Sequence, residues 1–295
     1  MISIVIPTFN NLKYLQLCIS SLQKNSFYNN EILLHINEGN DGTLEYAKKN
    51  GFKFTFSLVN NGLCIGCNKV AKQSREEYIL YSHDDMYFCP DWDKNLITEV
   101  NKLDTNKFYL SSMMINADPK LNGHLNYNAG DTVESFNEKI LLDNYKELYH
   151  YDFQGSTWAP HLMHKDIWNK VGGFSEEFSP GFGSDPDLNM KLWNEGVRIF
   201  KCLNSSKVYH FGSITIRKKN KNLFKNNSGS RANKIFLLKW KISINFFKKH
   251  YLKSGTPYNG PLLSPIKDSS YYMSFIKDKI SFFYYFVISL FKKIN

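Results

Sequence analysis

Two adjacent carboxylates, Asp84 and Asp85, follow the apolar run Tyr78–Ser82 in the stretch SHDDM. Hard divalent cations such as Mg²⁺ and Mn²⁺ take oxygen ligands and keep coordination sites open for phosphate oxygens. A carboxylate pair at a strand end suits that chemistry, and a solvated turn is the plainer use of the same residues. Further along, Asp185 precedes Pro186 in GSDPDLNMKLWNEG. That pair reads as a helix start, with Asp as the cap and Pro in the first position. A carboxylate fixed there faces outward, as a general base must. His210, in KVYHFGS, ends a β-branched and aromatic run just before a Gly-Ser turn, which leaves a ligand role open beside a structural one. Cys64 and Cys67 form a CxxC with no second pair, so they read as packing cysteines rather than a zinc site.

These residues need a scaffold, and the first two-thirds of the chain alternates strand and helix signals. Ile2–Ile6, Glu31–Asn37, the alternating Phe52, Phe54, Phe56 and Leu58, and Tyr78–Ser82 read as strands. Between them, Leu15, Cys18, Ile19 and Leu22 recur at helical spacing behind a capping Asn11; Thr43–Asn50 and Gly62–Ser74 also read as helices. Later helical signals lie at His164–Val171 and Pro186–Glu195. Alternation on this scale predicts a mostly parallel sheet covered by helices, which binds ligands at the carboxyl ends of its strands. Four polar clusters fall on that edge: PTFN (Pro7, Thr8, Phe9, Asn10), NEGNDGT (from Asn37 and Glu38 to Thr43), NNGLCIGCN (with Asn61, Gly62 and Asn68) and SHDDM. Segment 116–152 is rich in Asn, Asp and Gly and reads as a long functional loop or small insertion. Trp158 in GSTWAP has two readings, a face for stacking on sugar or a core residue.

In this order the pieces resemble the family 2 inverting glycosyltransferases of the GT-A fold, over about residues 1–215. PTFN is similar to the family's opening motif, which cradles the nucleotide. NEGNDGT resembles its base-reading stretch, NNGLCIGCN its Asn-x-Gly-x5-Asn stretch, and HDDM followed by Pro90 its Asp-x-Asp metal motif. GGFSEEF and SDPDL resemble its Gly-Gly-Phe and Glu-Asp-x-Asp-Leu elements. The resemblance implies Asp185 as catalytic base, Asp85 and His210 as metal ligands, and His83 and Asp84 near the ribose or behind the ligands. Pro7, Thr8, Phe9, Asn10, Asn37, Glu38, Asn61, Gly62 and Asn68 would face the donor, and Trp158, Ser184 and Asp187 the acceptor. It also implies a nucleotide-sugar donor, a Mn²⁺ or Mg²⁺ cofactor, single displacement with inversion, and a glycan or lipid-linked glycan acceptor. The sequence departs from the pattern at Asn37-Glu38, His83 and Ser184, where the family carries acids. A catalytically degenerate sugar- or nucleotide-binding domain is the first rival. A nucleotidyltransferase is the second, although PTFNN lacks the Gly-rich basic phosphate loop expected of one.

The net charge of +10 is unevenly spread. Residues 1–216 hold 20 Lys/Arg against 25 Asp/Glu, whereas 217–295 hold 17 Lys/Arg and only Asp268 and Asp278 as acids. An acidic catalytic domain over 1–216 with a basic helical C-terminal region over 217–295 argues against nucleic acid as the partner. It favours an anionic membrane surface. Within that region 217–230 reads as a linker, 231–250 as a helix with Ile235, Leu238, Ile242 and Phe246 on one stripe, and Ile280–Phe291 as an apolar aromatic stretch beside Lys292 and Lys293. That stretch is short of the ~20 residues that span a bilayer. It suits the membrane interface, or packing against the domain or a second copy in a homodimer. Five cysteines and the absence of a leader signal point to the cytoplasm, peripheral on the cytoplasmic face of a membrane.

Overall fold

The computed structural model describes residues 1–117, 125–212 and 228–292. The expected linker at 217–230 lies almost wholly outside them. The elements are β1 (Ile2–Phe9), α1 (Leu12–Asn25), β2 (Glu31–Asn37), α2 (Thr43–Lys49), β3 (Lys53–Ser57), α3 (Gly62–Ala71), β4 (Tyr78–Tyr81), β5 (Met86–Phe88), α4 (Trp92–Val100) and β6 (Phe108–Asn116). They continue with β7 (Leu125–Asn126), α5 (Glu138–Asn144), β8 (Phe153–Gln154), β9 (His161–His164), α6 (Lys165–Val171), α7 (Ser184–Asn194) and β10 (Ile199–His210). Three helices follow: α8 (Ser228–Trp240), the short α9 (Ile244–Phe246) running into a π turn at Phe247–Tyr251, and α10 (Ser269–Lys292).

The strands form one sheet in the order β3-β2-β1-β4-β9-β6-β10-β5, with β7 beside β6 and β8 beside β10. It is the mostly parallel, mixed sheet flanked by helices that the alternation predicts. The exceptions set the site. β9 runs antiparallel to both β4 and β6, and β10 runs parallel to β6. Two reversals restore the direction, so β10 ends on the same edge as β1, β2 and β4. The antiparallel β5 then pairs Met86 with His210, and Phe211 N–H donates to the Asp85 carbonyl at 3.1 Å. Asp85 and His210, 125 positions apart, become neighbours through strand pairing alone.

β1 is buried along nearly its whole length, as a central parallel strand requires. α1 turns Leu15, Cys18, Ile19 and Leu22 onto it, the stripe that the periodicity predicts. Asn11 precedes α1 without capping it: its Nδ2 donates to Asp84 Oδ1 at 3.1 Å, and the Leu12 N–H is satisfied by Asp41 Oδ2 at 2.8 Å. The described part of segment 116–152 has its own small core and does not line the cleft described below. Leu125, Ala129, Leu141 and Tyr145 pack with Tyr14, Tyr87, Tyr209 and Phe211.

The C-terminal helices share the main core. Ala232, Phe236, Ile242, Phe246, Phe247, Leu252, Leu262 and Tyr271 are buried in the same apolar cluster as Ile4 and Leu188. The expected stripe is displaced here. Ile235 and Leu238 are only half-buried, while Ala232, Phe236 and Leu237 face inward. The helical period stops at Trp240 because Lys241 takes φ 61°, and Ser243 Oγ then caps the next turn by accepting from Phe246 N–H.

Candidate active site

A cleft of about 520 Å³ opens at the carboxyl edge of the sheet. Pro7, Thr8 and Phe9 from β1, Asn37 from β2, and His83, Asp84 and Asp85 after β4 line one part. The loop Pro180–Gly183, Asp185 and Pro186 line another, and Ala232, Asn233, Ile244 and Lys248 close a wall from the C-terminal region.

The β1 and β2 loops are tied to each other. Asn10 and Glu38 both take positive φ, and Asn10 Nδ2 donates to Glu38 Oε2 at 3.2 Å, while Asn10 Oδ1 accepts from Asn40 N–H at 2.7 Å. Neither residue lines the cleft; they hold Phe9 and Asn37 in place. Asn37 Oδ1 accepts from the Asn61 N–H at 3.0 Å, fixing the entry to α3. At Gly62, with φ +81°, a Cβ would lie 2.9 Å from the Pro180 backbone, so only glycine lets the start of α3 meet that loop.

His83, Asp85 and His210 form a cluster whose ligand atoms all lie within 4.8 Å of one another. His210 Nε2 is 3.3 Å and His83 Nδ1 3.8 Å from Asp85 Oδ1. His210 Nε2 is buried and has no hydrogen-bond partner, although buried nitrogens nearly always find one. Burial holds His83 down at about 4, so its imidazole is neutral and its lone pair is available. Two imidazoles and a carboxylate around an unsatisfied nitrogen fit a divalent cation. His83 therefore stands in the cluster itself rather than behind it. Asp84 points the other way: its carboxylate accepts from Thr8 Oγ1 at 2.6 Å and from Asn11. Burial, and then the charge of Asp85, push Asp84 up.

Asp185 is in the first turn of α7, which begins two residues earlier than the Asp-Pro pair suggests. Gly183 occupies the cap position with φ 78°, and Ser184 Oγ donates to Gly181 O at 2.6 Å. The Asp185 side chain keeps 21% of its surface open. His161 of β9 stands beside it, with Tyr81 of β4 and Tyr109 of β6 packed on the His161 ring, and the Asp185 charge helps to raise the Cys64 and Cys67 thiols of α3. Burial raises it to about 7. His161, 3.8 Å away, gives no ionic relief because burial drives it down to about 3. A carboxylate this reluctant to ionise, beside a cleft, is suited to accepting a proton near neutral pH.

Four residues read as ligand-facing do other work. The Asn68 carboxamide makes two bonds to Phe174, accepting from its N–H at 2.9 Å and donating to its carbonyl at 2.8 Å, and so pins the Gly-Gly-Phe turn to α3. Asp187 is fully buried and accepts from Trp240 Nε1 at 2.8 Å beside Lys239 at 3.0 Å, which anchors α8 to α7. Ser184 shapes its own turn. Trp158 packs on Phe153 between the two apolar clusters, while its neighbour Thr157 lines the cleft. Cys64 and Cys67 are buried, free thiols raised by burial, which is the packing role. The wall made by Ala232, Asn233, Ile244 and Lys248 carried no signal in the sequence beyond its basic surroundings.

A mixed sheet with a carboxylate–histidine cluster at its strand ends and a second carboxylate on the opposing helix defines a GT-A glycosyltransferase fold. Residues 3–167, more than half of the chain, match the family described as "Glycosyl transferase family 2". The chain belongs to that family. It is 28% identical over 220 residues to the uncharacterized glycosyltransferase RT0329 of Rickettsia typhi, covering 74% of this chain and 63% of that protein. An uncharacterized glycosyltransferase of Rickettsia conorii, RC0461, is 30% identical over 200 residues, 65% of this chain and 31% of the relative. The match thus spans less than two-thirds of these relatives' length. Among solved structures, S. aureus TarS 1-349 superposes with a TM-score of 0.53 at 15% identity, covering 80% of this chain and 71% of that one. The same protein in complex with UDP-GlcNAc gives 0.50 at 18% identity, over 72% and 60% of the two chains.

Proposed function

We propose that the chain transfers a sugar from a nucleoside diphosphate to a hydroxyl acceptor on a growing glycan, by one in-line displacement that inverts the anomeric carbon. The observation that carries this reading is Asp185: an enclosed carboxylate raised to about 7, across the cleft from the His83–Asp85–His210 cluster. A base of that kind is worth ~10²–10⁴ in rate. Asp185 takes the acceptor hydroxyl proton as the hydroxyl oxygen bonds to the anomeric carbon and the bond to the diphosphate breaks. The buried His161, with Tyr81 and Tyr109 packed on its ring, limits water on one side of Asp185. His83, Asp85 and His210 would hold a divalent cation, which supplies positive charge against the leaving diphosphate. The two imidazoles favour Mn²⁺ over Mg²⁺, which prefers an all-oxygen shell. Thr8 and Asn11 keep Asp84 oriented at the ribose end. The TarS complex with UDP-GlcNAc supports a nucleotide-sugar donor.

The same reading extends to location. Among the described residues no helix is long and apolar enough to cross a membrane. Yet α10 exposes Met273 (68%), Ile276 (57%), Ile280 (68%), Phe283 (67%) and Leu290 (48%) at helical spacing, with lysines at 277 and 279 between them. An apolar aromatic face flanked by lysines fits the interface of an anionic bilayer, and supports reading the chain as a cytoplasmic, peripheral enzyme that acts on a lipid-linked glycan acceptor.

The test is a panel of uridine, guanosine, adenosine and thymidine diphosphate sugars, each incubated with Mn²⁺ and a mixture of glycan acceptors, with diphosphate release as the readout. Release from at least one donor, lost in Asp185→Asn, supports the proposal. Metal-dependent nucleotide binding without release would favour the degenerate binding domain instead.

A further inference from the structure

The wall contributed by the C-terminal region holds an unmatched cation. Lys248 lines the cleft from the π turn after α9, together with Asn233 and Ala232 of α8 and Ile244 of α9. Its side chain is half-buried, and among the described residues it has no ion-pair or hydrogen-bond partner for its ammonium group. Burial alone acts on it, lowering it from the usual lysine range, with no carboxylate nearby to offset that effect. By contrast, Lys201 is matched by Glu99 at 2.7 Å and Asp152 at 3.0 Å, and Lys239 by Glu177 and Asp187. A partly desolvated cation in a cleft wall, with no carboxylate in ion-pair range among the described residues, costs stability unless a ligand brings an anion to it.

The surroundings of Lys248 indicate which ligand. Its turn packs on α7 through Tyr251 against Trp193, on α8 through Phe247 against Phe236, and on the Gly155 turn through Leu252. Of these, α7 carries Asp185 and the Gly155 turn leads into Thr157, on the side of the base. The nucleotide end is built instead from the loops after β1, β2 and β4. An acceptor hydroxyl brought to Asp185 would share the cleft with Lys248. Resting on the transfer reaction proposed above, we infer that the acceptor carries an oxyanion, phosphoryl or carboxylate, close to the hydroxyl that is glycosylated, and that Lys248 binds it with Asn233 beside it. Lys248 is a specificity-determining residue and takes no part in proton transfer. The basic C-terminal region is then part of the substrate site.

Isothermal titration with Mn²⁺ present tests this on the full chain. The probes are a set of nucleoside diphosphates for the donor end, and glycerol 1-phosphate, glucuronate and uncharged glycerol for the acceptor end, each added to the protein saturated with its preferred diphosphate. The expected result is binding of one anionic probe and not of glycerol. Lys248→Gln should weaken that binding about 10- to 100-fold, the value of a hydrogen bond to a charged group. Lys248→Arg should restore most of it, and diphosphate affinity should be unchanged in both variants. Glycerol 1-phosphate binding without glucuronate assigns a phosphorylated acceptor, and the reverse a carboxylated one. If both anions are ignored by wild type, or if Lys248→Gln loses diphosphate affinity instead, the inference is overturned. If no diphosphate binds the wild-type protein at all, the transfer reading itself fails, and that outcome is separate.

Discussion

Replacing Asp185 with Asn should abolish transfer and at the same time stabilise the protein at pH 8. The carboxyl group is raised from 3.8 to about 7 by burial. A carboxyl group raised on folding costs stability once the unfolded chain ionises it while the native state resists ionisation. The cost is absent below pH ~4, grows between pH 4 and 7, and is constant above about 7. A shift of about three units corresponds to at most ~4 kcal/mol. The 21% of the side chain that reaches the cleft is screened by water, which reduces this to about 1–3 kcal/mol. Asn also gives up the favourable interaction of an anion with the first turn of α7, ~0.3–1 kcal/mol. The net gain is about 1–2 kcal/mol, or roughly 2–6 °C in Tm for a chain of this size. Thermal melts of both proteins from pH 4.5 to 8.5 in chelator measure it. The reasoning is refuted if Asp185→Asn melts at or below wild type at pH 8, or if the difference does not shrink as the pH falls. For wild type, the rate of transfer should rise with pH through about 7 as the base deprotonates.

Other substitutions separate the roles. His210→Ala should weaken nucleoside diphosphate binding in Mn²⁺ and leave the weak binding in chelator unchanged; equal loss under both conditions would remove His210 from the metal cluster. Asn68→Ala should cost about 1–3 kcal/mol of stability, because both Phe174 backbone groups lose their partner, while the donor KM stays the same; a raised KM with an unchanged Tm would return Asn68 to the donor site. Replacing Ile276, Ile280 and Phe283 together by Ser should abolish co-sedimentation with phosphatidylserine vesicles and leave the fold intact. If the wild type ignores those vesicles and the triple variant instead splits a dimer, α10 is a subunit interface.

The strand ends were readable because parallel α/β sheets gather their polar clusters on one edge, and Asp84–Asp85, Asn37, Pro7, Thr8 and Phe9 all lie there. The approach of His210 to Asp85 was suggested by resemblance, but its cause, two antiparallel pairings through β9, is not visible in HLMH, four residues that carry no directional signal. Polar residues misled where the fold uses them internally. Asn11 looks like a cap and instead steadies Asp84; Asn68 and Asp187 look like ligand groups and instead pin a turn and a helix. Trp240 finds Asp187 across 53 positions, and Lys248 reaches the cleft only because that contact docks α8 and the turn that follows. Local pattern cannot report such docking, since it depends on which helices meet.

The most direct test of the central claim is the stereochemistry of a single turnover. An α-linked nucleotide sugar accepted by the enzyme is followed by proton NMR in Mg²⁺, reading the anomeric coupling of the first product formed before it equilibrates. Direct attack by an oxygen deprotonated by Asp185 predicts the β product. A first-formed α product would contradict single displacement and remove Asp185 from the role of base.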